Sequence, residues 1–346
     1  MQVPAIFQIL IVFAGILVLH RMGMMLGLSL FVGALAIDLW AGRGVSGTLA
    51  DLGVALSRPD LWLLVAVIAL ILELGRFMAS EHNAAIVTAT ARRLGGRHGR
   101  AVSVMTLPAV IGLVPMPGGA LFSAPLVAQA VREDTWSSEW KSAVNYWFRH
   151  VWEYWWPLYP VVILTLSIFT LEIWQFMAAM LPFSLATVLS GYLFLVRPHL
   201  DTLAEDLPPP AAPPPGAAML ALPLVLMIGA ALLLPPAFEA AFPGWESSVR
   251  KLVAMLVGMV GAVGVILWHE REDPEIRPFQ EILQKKSVNI LVTLAAVLVF
   301  QTLLDCSGLI PLAAEELVSS GIPLVLVVAI LPFVAGLVTG IAIGYA

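Results

Sequence analysis

Long apolar runs separated by short polar ones set the pattern of this chain. A membrane span needs about 20 apolar residues at 1.5 Å rise each. That template predicts spans over 3–19, 24–40, 61–79, 160–178, 181–196, 217–235, 250–268 and 288–304. Two further apolar stretches, 101–131 and 322–346, carry proline and glycine in their middles. Proline withholds an N–H, and hydrocarbon offers nothing to the carbonyl so released. These two stretches therefore predict broken helices or re-entrant hairpins.

A repeat links them. LPAVIGLV at 107–114 matches LPFVAGLV at 331–338 at six of eight positions, with proline and glycine in register. In both places the order is span, short amphipathic segment (83–93 and 311–319), then this signature and a glycine-containing break. The pattern predicts an all-α polytopic membrane protein made of two inverted repeats, each with three spans, a re-entrant hairpin and further spans. The first repeat covers 1–200, with its hairpin at 101–131. A proline-rich linker, 201–216, contains DLPPPAAPPPG and favours an extended spacer. The second repeat, 217–346, has its hairpin from 322 and stops inside the tip, so the natural protein is expected to continue for roughly 80 residues, since repeats of this kind share one fold.

Inversion follows from counting, because an odd number of crossings separates equivalent points of the two copies. Basic residues give an independent indication, since cytoplasmic loops are rich in Lys and Arg. Of the 18 basic residues, 13 fall in alternate loops, at 20–23, 80–100, 132–156, 197–216 and 269–287. The opposite loops hold Arg43, Arg58, Arg250 and Lys251. This bias predicts a multi-pass protein of the plasma (inner) membrane with its N-terminus outside.

Composition narrows the class further. Hydrophobic residues make up 60% of the 346, mean hydropathy is +0.93, and the charged fraction of 12% is about half the roughly 25% of soluble domains. A soluble globular fold is excluded. Cys306 is the lone cysteine and no Cys/His cluster accompanies it, so neither a disulfide nor a metal centre is expected, and no cofactor is implied. Nothing in the charge pattern suggests nucleic acid. The N-terminus lacks the basic flank and cleavage site of a secretory signal and reads as a retained span.

Candidate chemistry lies first at the hairpin tips. The first reads VPMPGGALFSAP, 114–125. Pro115 and Pro117 stiffen the turn, while Gly118 and Gly119 let a ligand approach the main chain. The helix start up to Ser123 aims free N–H groups at whatever sits there, which suits an anion. The alternative is a Pro/Gly kink in an ordinary span. The second tip, GLVTGIAIGYA, offers Thr339, Gly340 and Gly344, whose spacing equally suits helix packing.

Two other places carry polar groups. Residues 135–160 hold six of the eleven tryptophans, with Asn145, Arg149 and Glu153 at i, i+4 and i+8, and His150 three residues before Glu153. An interfacial amphipathic helix explains the aromatics and a simple ion pair explains the charges; coupling to a proton or cation is the functional alternative. Glu73 is an acid inside a span, a functional hypothesis by default, with Arg76 three residues on as a structural partner. Asp38, Glu172 and Asp305 lie near span ends and read as solvated.

VPMPGGALFSAP followed by NYWFRHVWEYWWPLYP resembles a prokaryotic integral-membrane family, domain of unknown function 401, over essentially the whole chain. That family is grouped with the ion transporter superfamily, so the resemblance implies opposed hairpins, a homodimer and an elevator-like motion. It also implies transport of a small anion driven by Na⁺ or H⁺. The dicarboxylate branch has a Ser-Asn-Thr signature at each tip, where this chain has PMPGG and VTGIA, so dicarboxylate specificity is not implied. The expected function is a secondary active transporter whose partners are the bilayer, a small-molecule substrate and a second copy of itself. An intramembrane enzyme using His150, Glu153 or Glu73 as acid or base is the alternative, and it lacks a nucleophile–base pair.

Overall fold

The protein is described from a computed structural model. It places residues 3–78, 98–113, 119–131, 136–169, 171–204, 216–269 and 282–321, with isolated positions among 83–93 and 323–330. Among these the ordered elements are helical and none is a strand. Among the described residues four helices are long and apolar enough to cross a membrane, or five counting one bent pair. The second copy of the repeated signature, 331–338, and the proline-rich run 205–215 lie outside the described residues.

The chain clusters into two compact bodies, one of residues 1–66 with 284–346 and one of 67–283. These are groupings by contact, whereas the sequence division at 201–216 is a division by repeat.

In the first body, α1 (Ala5–Arg21), α2 (Leu26–Trp40) and α3 (Gly44–Ser57) pack with α12 (Lys285–Ser307) and α13 (Leu309–Ser319), and α2 lies along α12. The α2–α12 approach depends on Gly27, where a Cβ would stand 2.9 Å from the Thr293 main chain. The helix α3 falls in a stretch that the hydropathy pattern leaves as a loop. Its buried positions, Thr48, Asp51 and Ala55, share one face, but two of the three are polar and so carry no hydrophobic signal. At its end Arg58 is extended, as a residue before proline should be, and α4 (Pro59–Met78) departs at 51°. Arg58 pins the bend by pairing with Asp60 at 2.6 Å and donating to the Thr302 hydroxyl at 3.3 Å. Asp38 is not solvated as the sequence suggests. Packing of α3 and α12 on α2 buries it completely, and neither carboxylate oxygen has a hydrogen-bond partner among the described residues.

In the second body, α5 (Gly99–Gly112), α6 (Gly119–Ala130) and α7 (Ser138–Arg149) pack on one another. After α8 (Pro160–Ile168) the chain breaks and restarts as α9 (Ile173–Gly191), which runs on to Leu203 as one 31-residue element. At 1.5 Å per residue α8 is only roughly 14 Å long, too short to cross alone. Hydropathy places the break near 179–180, ahead of Pro182, yet the helix continues through that proline. Ahead of α9 the Leu171 carbonyl finds a donor instead, because Lys251 Nζ donates to it at 2.6 Å. Finally α10 (Ala217–Ala241) packs along α11 (Ser247–His269). The apolar windows of α9 and α10 are only 17% and 22% buried within the protein, against 44% for α11, so α9 and α10 have the most surface left for lipid.

One contact joins the chain's beginning to its last described helix. The Glu316 carboxylate of α13 accepts from the main-chain N–H groups of Ala5 at 2.8 Å and Ile6 at 2.9 Å, capping α1 from 310 and 311 residues away. Side-chain caps and charge-assisted hydrogen bonds each contribute about 1–2 kcal/mol. Glu316→Ala should therefore lower the detergent melting temperature measurably, and Glu316→Gln should recover part of that loss, because its one amide oxygen still accepts one of the two N–H groups. Equal melting of wild type and Glu316→Ala would show that the cap is idle.

Candidate functional site

A helix that ends in an apolar surrounding leaves carbonyls without donors. The helix α5 ends at Gly112, with the Leu113 N–H donating back to Ala109 and Val110 at 3.1 and 3.2 Å. The carbonyls of Gly112 and Leu113 then need partners from elsewhere. They receive them from the aromatic run after α7. Tyr159 donates its hydroxyl to Gly112 O and Trp156 its indole N–H to Leu113 O, each at 2.7 Å. One turn earlier Trp152 donates to Ala109 O, also at 2.7 Å. Trp152 and Trp156 are four residues apart, as are Ala109 and Leu113, so the two segments lie in register.

The other arm is held from the same side. Asn145 of α7 donates its amide to the Ala120 carbonyl in the first turn of α6 at 2.9 Å, and the Ser123 hydroxyl reaches the same oxygen at 3.4 Å. The Asn145 Oδ1 is buried and has no hydrogen-bond partner among the described residues. The α5–α7 approach leaves no room for a side chain, since a Cβ on Gly112 would lie 2.1 Å from the Arg149 carbonyl oxygen. Val104, Leu107, Val127, Val144 and Phe148 fill the space between the three helices.

Three further tryptophans anchor this segment to α9 and its continuation. Trp155 donates to the Ser184 hydroxyl at 2.7 Å, Trp147 to Thr187 O at 2.8 Å and Trp140 to Leu195 O at 2.8 Å. Gly191 makes room for Trp147, whose ring would stand 2.4 Å from a Cβ there. The helix α7 itself starts cleanly. Ser137 accepts from the Trp140 N–H at 3.2 Å, and the Glu139 carboxyl is held below its usual range, first by main-chain hydrogen bonding and then by the Ser137 hydroxyl.

Of the residues singled out in the sequence, Gly119 opens α6, Ser123 is buried within it, and Asn145 and Arg149 are buried on α7. His150 and Glu153 approach to 3.7 Å just beyond α7. Glu73 is buried on α4 and engaged with other residues. Pro115, Pro117, Gly118, Thr339, Gly340 and Gly344 lie outside the described residues. Among the described residues no three His, Cys, Asp or Glu side chains gather as metal ligands. Sequence reasoning missed Trp152, Trp156, Tyr159 and Gly112 as the groups that hold the end of α5. The four-residue spacing shared by Trp152 and Trp156 with Ala109 and Leu113 is a signal only once the two segments are known to dock.

These contacts predict a difference between two substitutions. Gly112→Ala forces main chain from main chain and should prevent stable folding, read as loss of the monodisperse peak in detergent. Trp156→Phe keeps the ring but leaves the Leu113 carbonyl unpaired, a cost of about 1–3 kcal/mol, and should fold with a lowered melting temperature. Wild-type behaviour of Gly112→Ala would mean that α5 and α7 do not meet as described.

The family described as protein of unknown function (DUF401) matches residues 4–209, which take in α5, α6 and their aromatic support but not the chain beyond. No curated protein matches the chain.

Proposed function

The chain belongs to the DUF401 family, and from that premise we propose that it is a secondary active transporter of a small anionic solute. The observation that carries this reading is the pair of short helices α5 and α6. They have 14 and 12 residues, each too short to cross a bilayer, and Trp152, Trp156, Tyr159 and Asn145 hold the main chain at the end of α5 and the start of α6. Membrane proteins keep non-helical main chain within the apolar layer where it lines a solute path, and discontinuous helices place their termini at substrates and coupling ions. An α6 start at Gly119 presents its positive dipole end to an anion. The buried Asn145 Oδ1 is an acceptor left for a ligand donor or for Na⁺.

In this reading the solute sits at the hairpin tip around Gly118, Gly119 and Ser123, facing a second tip with Thr339, Gly340 and Gly344. The N-terminus is outside. The halves are inverted repeats of the ion transporter superfamily type, working as a homodimer by elevator-like alternating access. Glu73, with Arg149, His150 and Glu153, supplies candidates for coupling to H⁺ or Na⁺.

Uptake into proteoliposomes, with Na⁺ and proton gradients imposed one at a time and a panel of small anions offered, tests the reading. One gradient should drive accumulation of at least one anion. Gly119→Ala should raise the half-saturation concentration or abolish uptake while leaving the melting temperature nearly unchanged. Chemical turnover of a solute without accumulation would instead favour an intramembrane enzyme.

A further inference from the structure

The second body contains a cavity of about 270 Å³ where the start of α9, the far end of α10 and the start of α11 come together. It is smaller than the usual pocket for a drug-sized ligand. Its wall carries two cations and two carboxylates: Lys251, Arg250, Glu172 and Glu239. Lys251 is 95% buried, with Nζ 2.6 Å from Leu171 O and 3.2 Å from Glu172 Oε1. Arg250 donates to Trp245 O at 2.6 Å, and its other terminal nitrogen stands 3.9 Å from Glu239, beyond hydrogen-bond reach.

Balanced charge alone is what two surface ion pairs look like. The backbone adds a further element. Pro235 and Pro236, both on the cavity wall, have no N–H, so the carbonyls of Ala231 and Leu232 lose their helical donors. Ala231 and Leu232 also line the cavity. One small space thus brings together donors for an anion, acceptors for a cation and no net charge. The first turn of α11, from Ser247 on the cavity wall to Arg250, adds the positive end of a helix dipole on the donor side.

We propose that this cavity binds a compact zwitterion, a molecule carrying an anionic group and a primary ammonium a few atoms apart. The anionic group meets Arg250 and Lys251. The ammonium meets Glu239, Glu172 and the carbonyls of Ala231 and Leu232, and its three N–H donors suit that set, whereas a quaternary ammonium has none to give. Two sources have this chemistry: the headgroup of phosphatidylethanolamine and a free amino acid. The inference does not depend on the transport reading.

Binding to the purified full chain tests it, by native mass spectrometry for lipids and thermal shift for soluble ligands. The probes are phosphatidylethanolamine, phosphatidylcholine and phosphatidylglycerol of one acyl composition, then glycine and γ-aminobutyrate, with acetate and ethylamine as single-charge controls. A tenfold or greater preference for phosphatidylethanolamine over the other two lipids assigns the site to the lipid. A saturable shift with an amino acid but with neither control assigns it to the free solute. Arg250→Gln and Glu239→Gln, whose side chains do not share the deep burial of Lys251, should each weaken the preferred probe at least tenfold. Indifference among the lipids together with no amino-acid response, or wild-type binding by both variants, overturns the proposal.

Discussion

A main-chain carbonyl released by a broken helix must find a donor, and in an apolar layer that donor has to be another part of the protein. The end of α5 meets this constraint with Trp156 and Tyr159, and Trp152 adds a third aromatic donor to the Ala109 carbonyl, which the Leu113 N–H also reaches. Indole and phenol groups suit the task. Each brings a large apolar surface with one strong donor at its edge, so the partner carbonyl is satisfied while the surroundings stay dry. An unpaired buried carbonyl costs about 1–3 kcal/mol, so the hairpin is stable only with its support in place. The same logic recurs at the α8–α9 break, where Lys251 takes the Leu171 carbonyl, and at the start of α1, where Glu316 takes two N–H groups.

Close approach of helices is the second condition. Without a strong hydrophobic force between helices in lipid, packing depends on small residues. Gly27 against Thr293, Gly112 against Arg149, and Gly258 against Met227 and Ala230 each leave no space for a Cβ. These are the sites where α2 meets α12, α5 meets α7 and α10 meets α11. The hairpin is therefore positioned by glycine contact on one side and by aromatic hydrogen bonds along its end.

Much of the fold was legible because long apolar spans leave a strong signal. The helices around 5–21, 26–40, 59–78, 217–241, 247–269 and 285–307 fall close to where hydropathy puts them. The signal failed where burial is polar. Thr48 and Asp51 face the interior of the first body, so α3 reads as a loop. Asp38 looks solvated by position but is covered by neighbours that only tertiary packing supplies. The boundary between two spans also moved, since hydropathy separates them at 179–180, where the helix runs on through Pro182, while α8 ends at Ile168 and α9 starts at Ile173. At the candidate site, the sequence singled out Asn145 and the apolar stretch that holds α5 and α6, but its tryptophans read as interfacial anchors. Their role as donors to 109–113 is a long-range pairing that no local spacing encodes.

The central claim is that indole donors from Trp152 and Trp156 hold the end of the hairpin helix. Hydrogen exchange at the indole N–H of tryptophan, resolved by ¹⁵N labelling in detergent micelles, reads those bonds directly. The account predicts that both indole protons exchange far more slowly than in the unfolded chain and that Gly112→Ala abolishes the protection of both. Exchange of either proton at the unfolded rate in the wild-type protein would contradict it.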